Sequence, residues 1–119
     1  MDFENKQRII QEIVPGKQIT LAHIVAKPDA VLYRKLGLDP AVDYSAAAIG
    51  ILTMSPAEYA IIAADLAIKS SGAELGFVDR FSGTLIITGT ISQVEAALNA
   101  ILAHAGEKLG FTVCEVTRT

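Results

Sequence analysis

A segment that is apolar on nearly every side follows Ser55, and it constrains the fold more than any other feature. Ser55-Pro56-Ala57-Glu58 puts Ser at the N-cap, Pro at the first helical position and Glu at the third, the arrangement of a capping box. We therefore predict a helix from Pro56 to about Ser70 that ends at Gly72. Its charged residues lie on one stripe and are Glu58, Asp65 and Lys69. A helix that is apolar around nearly its whole circumference is buried on more than one side.

The composition indicates what covers such a helix. Apolar residues make up 51% of the 119 residues and charged residues 19%, in a chain long enough for one domain with a single core. A domain of this size leaves roughly a third of its unfolded-chain surface exposed. The composition therefore predicts that part of the surface is buried against other subunits.

Charge and hydropathy argue against several classes of function. The formal net charge is -3 and no basic cluster occurs, which argues against nucleic-acid binding. No apolar run approaches the ~20 residues of a membrane-spanning helix. The first residues carry charges with no apolar run behind them, unlike an export signal. We therefore expect a cytoplasmic protein that binds neither nucleic acid nor membrane.

A hairpin is predicted immediately after the apolar helix. Residues 73–78 and 85–88 have the pattern of two strands, and Ser82-Gly83 between them supplies the positive φ of a tight turn. The turn also carries Asp79, Arg80 and Phe81, more side-chain chemistry than closing a hairpin requires.

The remaining elements complete an α+β fold. The other predicted strands are 18–26, 46–53 and 111–117, and the other predicted helices are 30–36 and 93 to about 108. Gly50 in the second of these strands indicates close backbone approach, and Ser92-Gln93-Val94-Glu95 has the pattern of a second capping box. The order predicts an antiparallel-rich sheet with both long helices on one face, preceded by a short strand or extended arm at residues 6–14.

No group of residues has the spacing of a catalytic or metal site. His23 is predicted to be a hydrogen-bonded histidine of the sheet and His104 a surface histidine. Cys114, the only cysteine, is predicted to be a small core residue. Asp65 precedes Lys69 by four residues, the spacing of an ordinary helical ion pair. We therefore expect no enzyme activity, no cofactor and no metal.

Four features occur together between residues 48 and 110. They are an Ala-Ile-Gly strand, an Ala-rich helix ending in Ala-Asp-x-x-x-Lys, a hairpin with a Ser-Gly turn, and a second helix with the pattern Gly-x-Ile-x-x-Val-x-x-Ala. In this combination the segment resembles the bacterial microcompartment (BMC) shell domain.

The front of the chain resembles one branch of that family. Its strand and short helix read ITLAHIVAKPDAVLYRKLG and precede the four features, whereas in ordinary members they follow the second long helix. The opening RIIQEIVPGKQITLAH and the closing FTVCEVTRT are similar to the same branch. The chain is therefore identified as a member of the circularly permuted branch, which includes propanediol-, ethanolamine- and choline-utilisation shell proteins.

The resemblance implies a permuted BMC domain of ferredoxin-like fold that forms a homohexamer. Such a hexamer is a structural tile, and its edges join other shell proteins into a polyhedral shell around catabolic enzymes in the bacterial cytoplasm. The targeting peptide of an encapsulated enzyme is a further candidate partner. No active site is expected of a protein that forms a wall.

The resemblance also assigns roles by position. Around the six-fold pore it places Phe81, Ser82, Gly83 and Thr84. Contacts between adjacent subunits beside the pore fall to Asp79 and Arg80, and the hexamer edge carries Lys69 and Lys27. Residues 1–15 form an arm whose six copies build a parallel β-barrel that caps the pore, and residues 16–119 form the shell domain. The barrel is filled by Ile9, Ile10, Ile13 and Val14.

One difference from the ethanolamine-type members concerns the shape of the ring. Those members have an additional Gly before the Ala-Ile-Gly strand, associated with a bent hexamer, whereas this chain has Ala46-Ala47-Ala48. Because Ala has a narrower φ/ψ range than Gly, we expect a flat hexamer.

A second interpretation stays open at this point. A ring-forming α+β domain could also be a small-molecule binding or regulatory module with its ligand between subunits. The residues that could form its polar pocket are Asp79, Arg80 and His23.

Overall fold

The computed structural model describes residues 17–38 and 47–119. The predicted arm, the boundary at residue 15 and the barrel residues Ile9, Ile10, Ile13 and Val14 lie outside the described residues. The described elements are β1 (Gln18–Val25), α1 (Ala30–Lys35), β2 (Ala48–Ser55), α2 (Tyr59–Ser71), β3 (Glu74–Asp79), β4 (Thr84–Gly89), α3 (Ile91–Ala103), a π-helix (His104–Lys108) and β5 (Thr117–Arg118).

The strands form one five-stranded sheet in the order β3-β4-β2-β1-β5. The neighbours β3 and β4, β4 and β2, and β2 and β1 are antiparallel, while β5 runs parallel to β1. The sheet is therefore mixed with antiparallel pairs predominating, as predicted. β3 lies at one edge and the two-residue β5 at the other.

The two long helices pack on one face of this sheet, also as predicted. The buried side chains there include Ala22, Ile24, Leu52, Leu85 and Ile87 from the strands and Val94, Ala97, Leu98 and Ile101 from α3. The opposite face carries α1, whose Tyr33 packs with Leu38, Ile49 and Ile86. The Tyr33 hydroxyl donates a hydrogen bond to the carbonyl of Ala47, so α1 is tied to the start of β2.

The residues of α2 are distributed in an unusual way between its two faces. Its buried residues, apart from Tyr59, are the small side chains Ala60, Ala63, Ala64 and Ala67. Its large side chains point outward, with Ile61 and Ile62 each 51% exposed and Ile68 45% exposed. The predicted helix that is apolar on nearly every side therefore exists, and one of its apolar faces is uncovered in the single chain.

The start of α2 differs from the prediction. Ser55 is the last residue of β2 and is paired with Gln18 of β1, so it does not occupy an N-cap position. The chain turns through Pro56, whose carbonyl accepts from the amide of Tyr59 at 3.0 Å. The N-cap is Glu58, with no side-chain cap hydrogen bond. The predicted capping box at Ser55 is therefore wrong, because strand pairing takes the Ser.

The capping box of α3 is present but begins two residues before the predicted one. Thr90 is the N-cap, and its hydroxyl accepts from the amide of Gln93 at 3.1 Å. The Gln93 side-chain oxygen accepts from the Thr90 amide at 2.9 Å. The box predicted at Ser92 is therefore wrong, since Gln at the third position serves as well as Glu.

The end of the chain is less regular than predicted. The last predicted strand, 111–117, is reduced to β5 and an isolated bridge between Gln18 and Thr112. β1 has one more residue than β2 between Ile19 and Leu21, and a bulge of this kind bends its strand between the two places where the last segment pairs with β1. Leu109, which follows the π-helix, is 41% exposed.

Gly50 lies where β2 meets α3, and the predicted close approach is confirmed. A Cβ at this position would lie 2.7 Å from Cγ1 of Val94 and 2.9 Å from Cγ1 of Ile87. Carbon atoms do not pack at such distances, so any larger residue would push α3 away from the sheet.

We expect Gly50→Ala to lower the free energy of unfolding by about 1–3 kcal/mol, the usual cost of overpacking a core. Denaturant unfolding measures this difference. Gly106→Ala is the matched control, because its Cβ would lie 3.6 Å from the nearest atoms, which belong to Val113. A Gly50→Ala protein as stable as the parent would contradict the close packing.

Candidate functional site

The turn between β3 and β4 is held in one shape by hydrogen bonds from Asp79. One carboxylate oxygen accepts from the amide of Phe81 at 2.9 Å. The other accepts from the hydroxyl of Ser82 at 2.8 Å, which also lies 3.0 Å from the hydroxyl of Thr84. Both oxygens of Asp79 are therefore used inside the turn.

Gly83 fixes the turn to the end of β2. Its φ is +77°, a left-handed value that favours glycine, and its amide donates to the carbonyl of Asp79 at 2.9 Å. Its carbonyl accepts from the amide of Met54 at 2.9 Å. A Cβ on Gly83 would lie 2.1 Å from the carbonyl oxygen of Met54, so no other residue fits.

The tip of the turn presents Arg80 and Phe81 to the outside. Phe81 is 81% exposed, and the Arg80 guanidinium lies 4.8 Å from the centre of its ring, the geometry of a cation–π contact. Together with Ile61 and Val78 they line a shallow groove beside α2. The turn thus combines a fixed backbone with an exposed cation and ring.

The residues of the alternative binding pocket do not converge within one subunit. Asp79 and His23 are three strands apart in the sheet. Asp79 lies opposite Thr84, Thr84 opposite Thr53, and Thr53 opposite Leu21, which is two residues from His23. Three strand spacings separate the two positions by about 14 Å. Both ring nitrogens of His23 already contact hydroxyl groups, those of Thr117 at 2.6 Å and Thr119 at 2.9 Å. The prediction of a hydrogen-bonded sheet histidine is thus confirmed.

His104 is not the surface residue that the sequence predicted. It is half-buried, and its Nδ1 lies 2.8 Å from the hydroxyl of Tyr59. The two rings stack, and Phe111 packs against Tyr59 with ring centres 4.7 Å apart. Burial raises the pKa of Tyr59. No sequence pattern indicates this contact, because a π-helix begins at His104 and the 3.6-residue periodicity of an α-helix does not predict where its side chains point.

Cys114 and the acidic and histidine side chains were the other candidates for reactive or metal-binding groups. Cys114 is half-buried against the core, and burial raises the pKa of its thiol. It lies outside the strands, although a strand position was predicted. Residues 17–38 and 47–119 contain no cluster of His, Cys, Asp or Glu that could hold a metal ion, and none of their helices has the length and hydropathy of a membrane span.

Lys69 and Lys27 are both exposed. The Lys69 ammonium lies 2.9 Å from a carboxylate oxygen of Asp65, so the predicted helical ion pair is confirmed. Lys27 follows the end of β1 and lines a cleft with Val25, Ile91 and Arg118. The structure of one chain does not test a role at a hexamer edge, and that role stays a prediction.

The hydrogen bonds within the turn predict how its contribution to stability depends on pH. The amide of Phe81 and the hydroxyl of Ser82 lower the pKa of Asp79 below its ordinary value of 3.8. Because the folded pKa is the lower one, ionised Asp79 stabilises the fold above pH 3.8, and this contribution is lost as the pH falls through the folded pKa. We expect Asp79→Ala to lower the melting temperature at pH 7, and the difference from the parent to narrow below pH 3.8.

Thermal unfolding at a series of pH values measures both effects. Glu95→Ala, which removes an exposed carboxyl group of α3, is the control. A difference between Asp79→Ala and the parent that stays constant as the pH falls to about 2 would contradict this role of Asp79.

Comparison with known proteins connects the fold and the turn to a family. The model of the BMC domain matches residues 48–117. The chain is 53% identical to the bacterial microcompartment shell protein PduU of Salmonella typhimurium over 112 residues, which is 94% of this chain and 93% of PduU. It is 50% identical to the shell protein EutS of the same organism over 115 residues, 97% of this chain and 99% of EutS.

Solved structures agree with this result. A flat hexamer of CutR superimposes with a TM-score of 0.81 at 42% identity, covering 89% of this chain and 94% of that one. A screw form of CutR superimposes with a TM-score of 0.79, covering 88% of this chain and 100% of that one. A fused permuted hexameric shell protein shares the fold at 19% identity, with a TM-score of 0.64 over 75% of this chain and 47% of that one. The relatives are structural shell proteins and not enzymes, and this chain belongs to the BMC-domain family of bacterial microcompartment shell proteins.

Proposed function

We propose that this protein is a hexameric tile of a bacterial microcompartment shell. The observation that carries the proposal is the likeness of the described fold to one subunit of the flat CutR hexamer, at 42% identity and over 94% of that subunit. The exposed isoleucines of α2 support it, because an uncovered apolar face of this kind marks a contact with another protein. The tile joins other shell proteins at its edges, in a shell within the bacterial cytoplasm.

The turn between β3 and β4 is proposed to line the six-fold axis. Six copies of Phe81, Ser82, Gly83 and Thr84 then form a collar. The hydrogen bonds of Asp79 and the glycine at position 83 support this role, because they hold every copy of the turn in the same shape. Asp79 serves chiefly to shape the turn, whereas the exposed Arg80 is available for contact with the adjacent subunit.

The ring is proposed to be flat. Ala47 and Ala48 precede and begin β2, and alanine restricts the backbone at the place where the ethanolamine-type members have an additional glycine. CutR has been solved both as a flat hexamer and as a screw, so a subunit of this fold is compatible with both arrangements.

Residues 1–15 are proposed to form a separate arm that caps the pore, with residues 16–119 as the shell domain. Six arms would make a parallel β-barrel narrow enough to be filled by side chains. Those side chains would be Ile9, Ile10, Ile13 and Val14, whose apolar character supports the proposal. The capped barrel is a candidate docking site for the targeting peptide of an encapsulated enzyme.

The enclosed pathway is proposed to be the use of propanediol, ethanolamine or choline. The support is the similarity to PduU, EutS and CutR, at 53%, 50% and 46% identity. These values are too close to one another to favour one pathway.

The outer edge of the tile is proposed to carry Lys69 and Lys27. We expect Lys69→Ala to leave hexamers intact and to raise the protein concentration needed for sheets of hexamers by about tenfold, equivalent to about 1.4 kcal/mol of lost contact energy. Light scattering measures the hexamer and electron microscopy the sheets. Lys35→Ala, which removes an exposed lysine of α1, is the matched control. Sheets of Lys69→Ala that form as readily as those of the parent would contradict the edge role.

Removal of residues 1–14 tests the arm. We expect the shortened protein to keep its hexamer and to lose less than about 1 kcal/mol of stability, because the arm packs against the other arms of the barrel and buries little of the core of its own shell domain. Electron microscopy of the hexamer should then show an open axis in place of a capped one. A large drop in melting temperature would instead show that the arm belongs to the core.

A further inference from the structure

The ion pair between Asp65 and Lys69 lies within an apolar surface. The two charged groups are 2.9 Å apart, with Lys69 73% and Asp65 62% exposed. Ile62, one turn before Asp65, is 51% exposed, and Ile68, next to Lys69, is 45% exposed. Solvent weakens an exposed ion pair of this kind, but a partner that covered the isoleucines would also remove water from the two charges.

The free-energy cost of removing water from these two charges depends on whether both are present. Removing one partner of a buried ion pair leaves an uncompensated charge and is far more harmful than removing both. If Lys69 lies at a contact between tiles, its ammonium therefore needs a carboxylate in the same contact. Asp65 is the carboxylate that the structure places beside it.

Symmetry determines how two such surfaces meet. Identical six-fold tiles that share one plane and face the same way are related across a common edge by a two-fold axis, so the same surface occurs on both sides. Two copies of α2 that lie along the plane of the tiles run antiparallel across this axis. Asp65 and Lys69 lie about 6 Å apart along the helix axis, so an axis midway between them brings Lys69 opposite Asp65 of the neighbouring tile.

We propose that Asp65 is a second edge residue and that it forms a quartet of alternating charges with Lys69 across the contact between two tiles. The occupant of this surface is thus a second copy of the chain in the neighbouring hexamer. The inference rests on the proposed hexameric tile with Lys69 at its edge. In the quartet each ammonium has one carboxylate of its own chain and one of the neighbouring chain.

Charge reversal tests the quartet. Asp65→Lys places four cations at the contact and Lys69→Asp places four anions, so we expect each variant alone to need at least about tenfold more protein to form sheets than the parent. The double variant Asp65→Lys/Lys69→Asp exchanges the two charges, so that every contact again holds two cations and two anions in alternation. We expect it to form sheets within about threefold of the parental concentration.

Controls separate this inference from the proposed function. Light scattering shows whether each variant is still a hexamer, and electron microscopy shows whether it forms sheets. Glu95→Lys makes the same change of charge at an exposed position of α3 and should form sheets as the parent does.

Two results would overturn the inference in different ways. If Lys69→Ala impairs sheets but the double variant Asp65→Lys/Lys69→Asp does not restore them, the quartet is wrong and the edge role of Lys69 stands. If Lys69→Ala forms sheets normally, the edge role is wrong and the quartet falls with it.

Discussion

The outward isoleucines of α2 are the constraint on which the rest of the structure depends. The helix turns alanines toward its own core and presents Ile61, Ile62 and Ile68 to the outside, the reverse of what a solitary domain needs. Burying an isoleucine fully contributes roughly 1.5–3 kcal/mol, so covering the exposed half of each contributes on the order of 1 kcal/mol. In an assembled shell this gain would recur in every subunit, and the small alanines allow α2 to lie close to the sheet and α3.

The turn at residues 79–84, like α2, has some residues that bond within the chain and others that face outward. Asp79 and Gly83 use their polar groups within the chain, and the carbonyl of Gly83 binds the turn to Met54 at the end of β2. Arg80 and Phe81 are left exposed at the tip. A collar made of six such turns would have a fixed diameter set by backbone contacts, and its chemical character would come from the residues at the tip.

The sequence predicted the parts of the fold that depend on periodicity and on glycine. The hairpin around Gly83, the close approach at Gly50 and the glycine that ends α2 were all predictable, because each position needs a conformation or a space that only glycine provides. The start of α2 was not, since Ser55 satisfies the local capping pattern and yet pairs with Gln18 of β1. At Ser55 the pairing of β2 with β1 therefore determined the structure, and the local capping pattern did not. The contact between Tyr59 and His104 was equally hidden, because it joins residues 45 positions apart through a π-helix.

The most direct test of the central claim is a cryo-electron microscopy structure of the purified particle. We predict six equivalent subunits in a flat ring, with the turn of residues 79–84 at the six-fold axis and the exposed face of α2 covered or at the tile edge. A screw of inequivalent subunits would contradict the flat ring. A monomer, a dimer or a ring with this turn at its periphery would contradict the assignment of the protein as a hexameric tile with its pore at the turn.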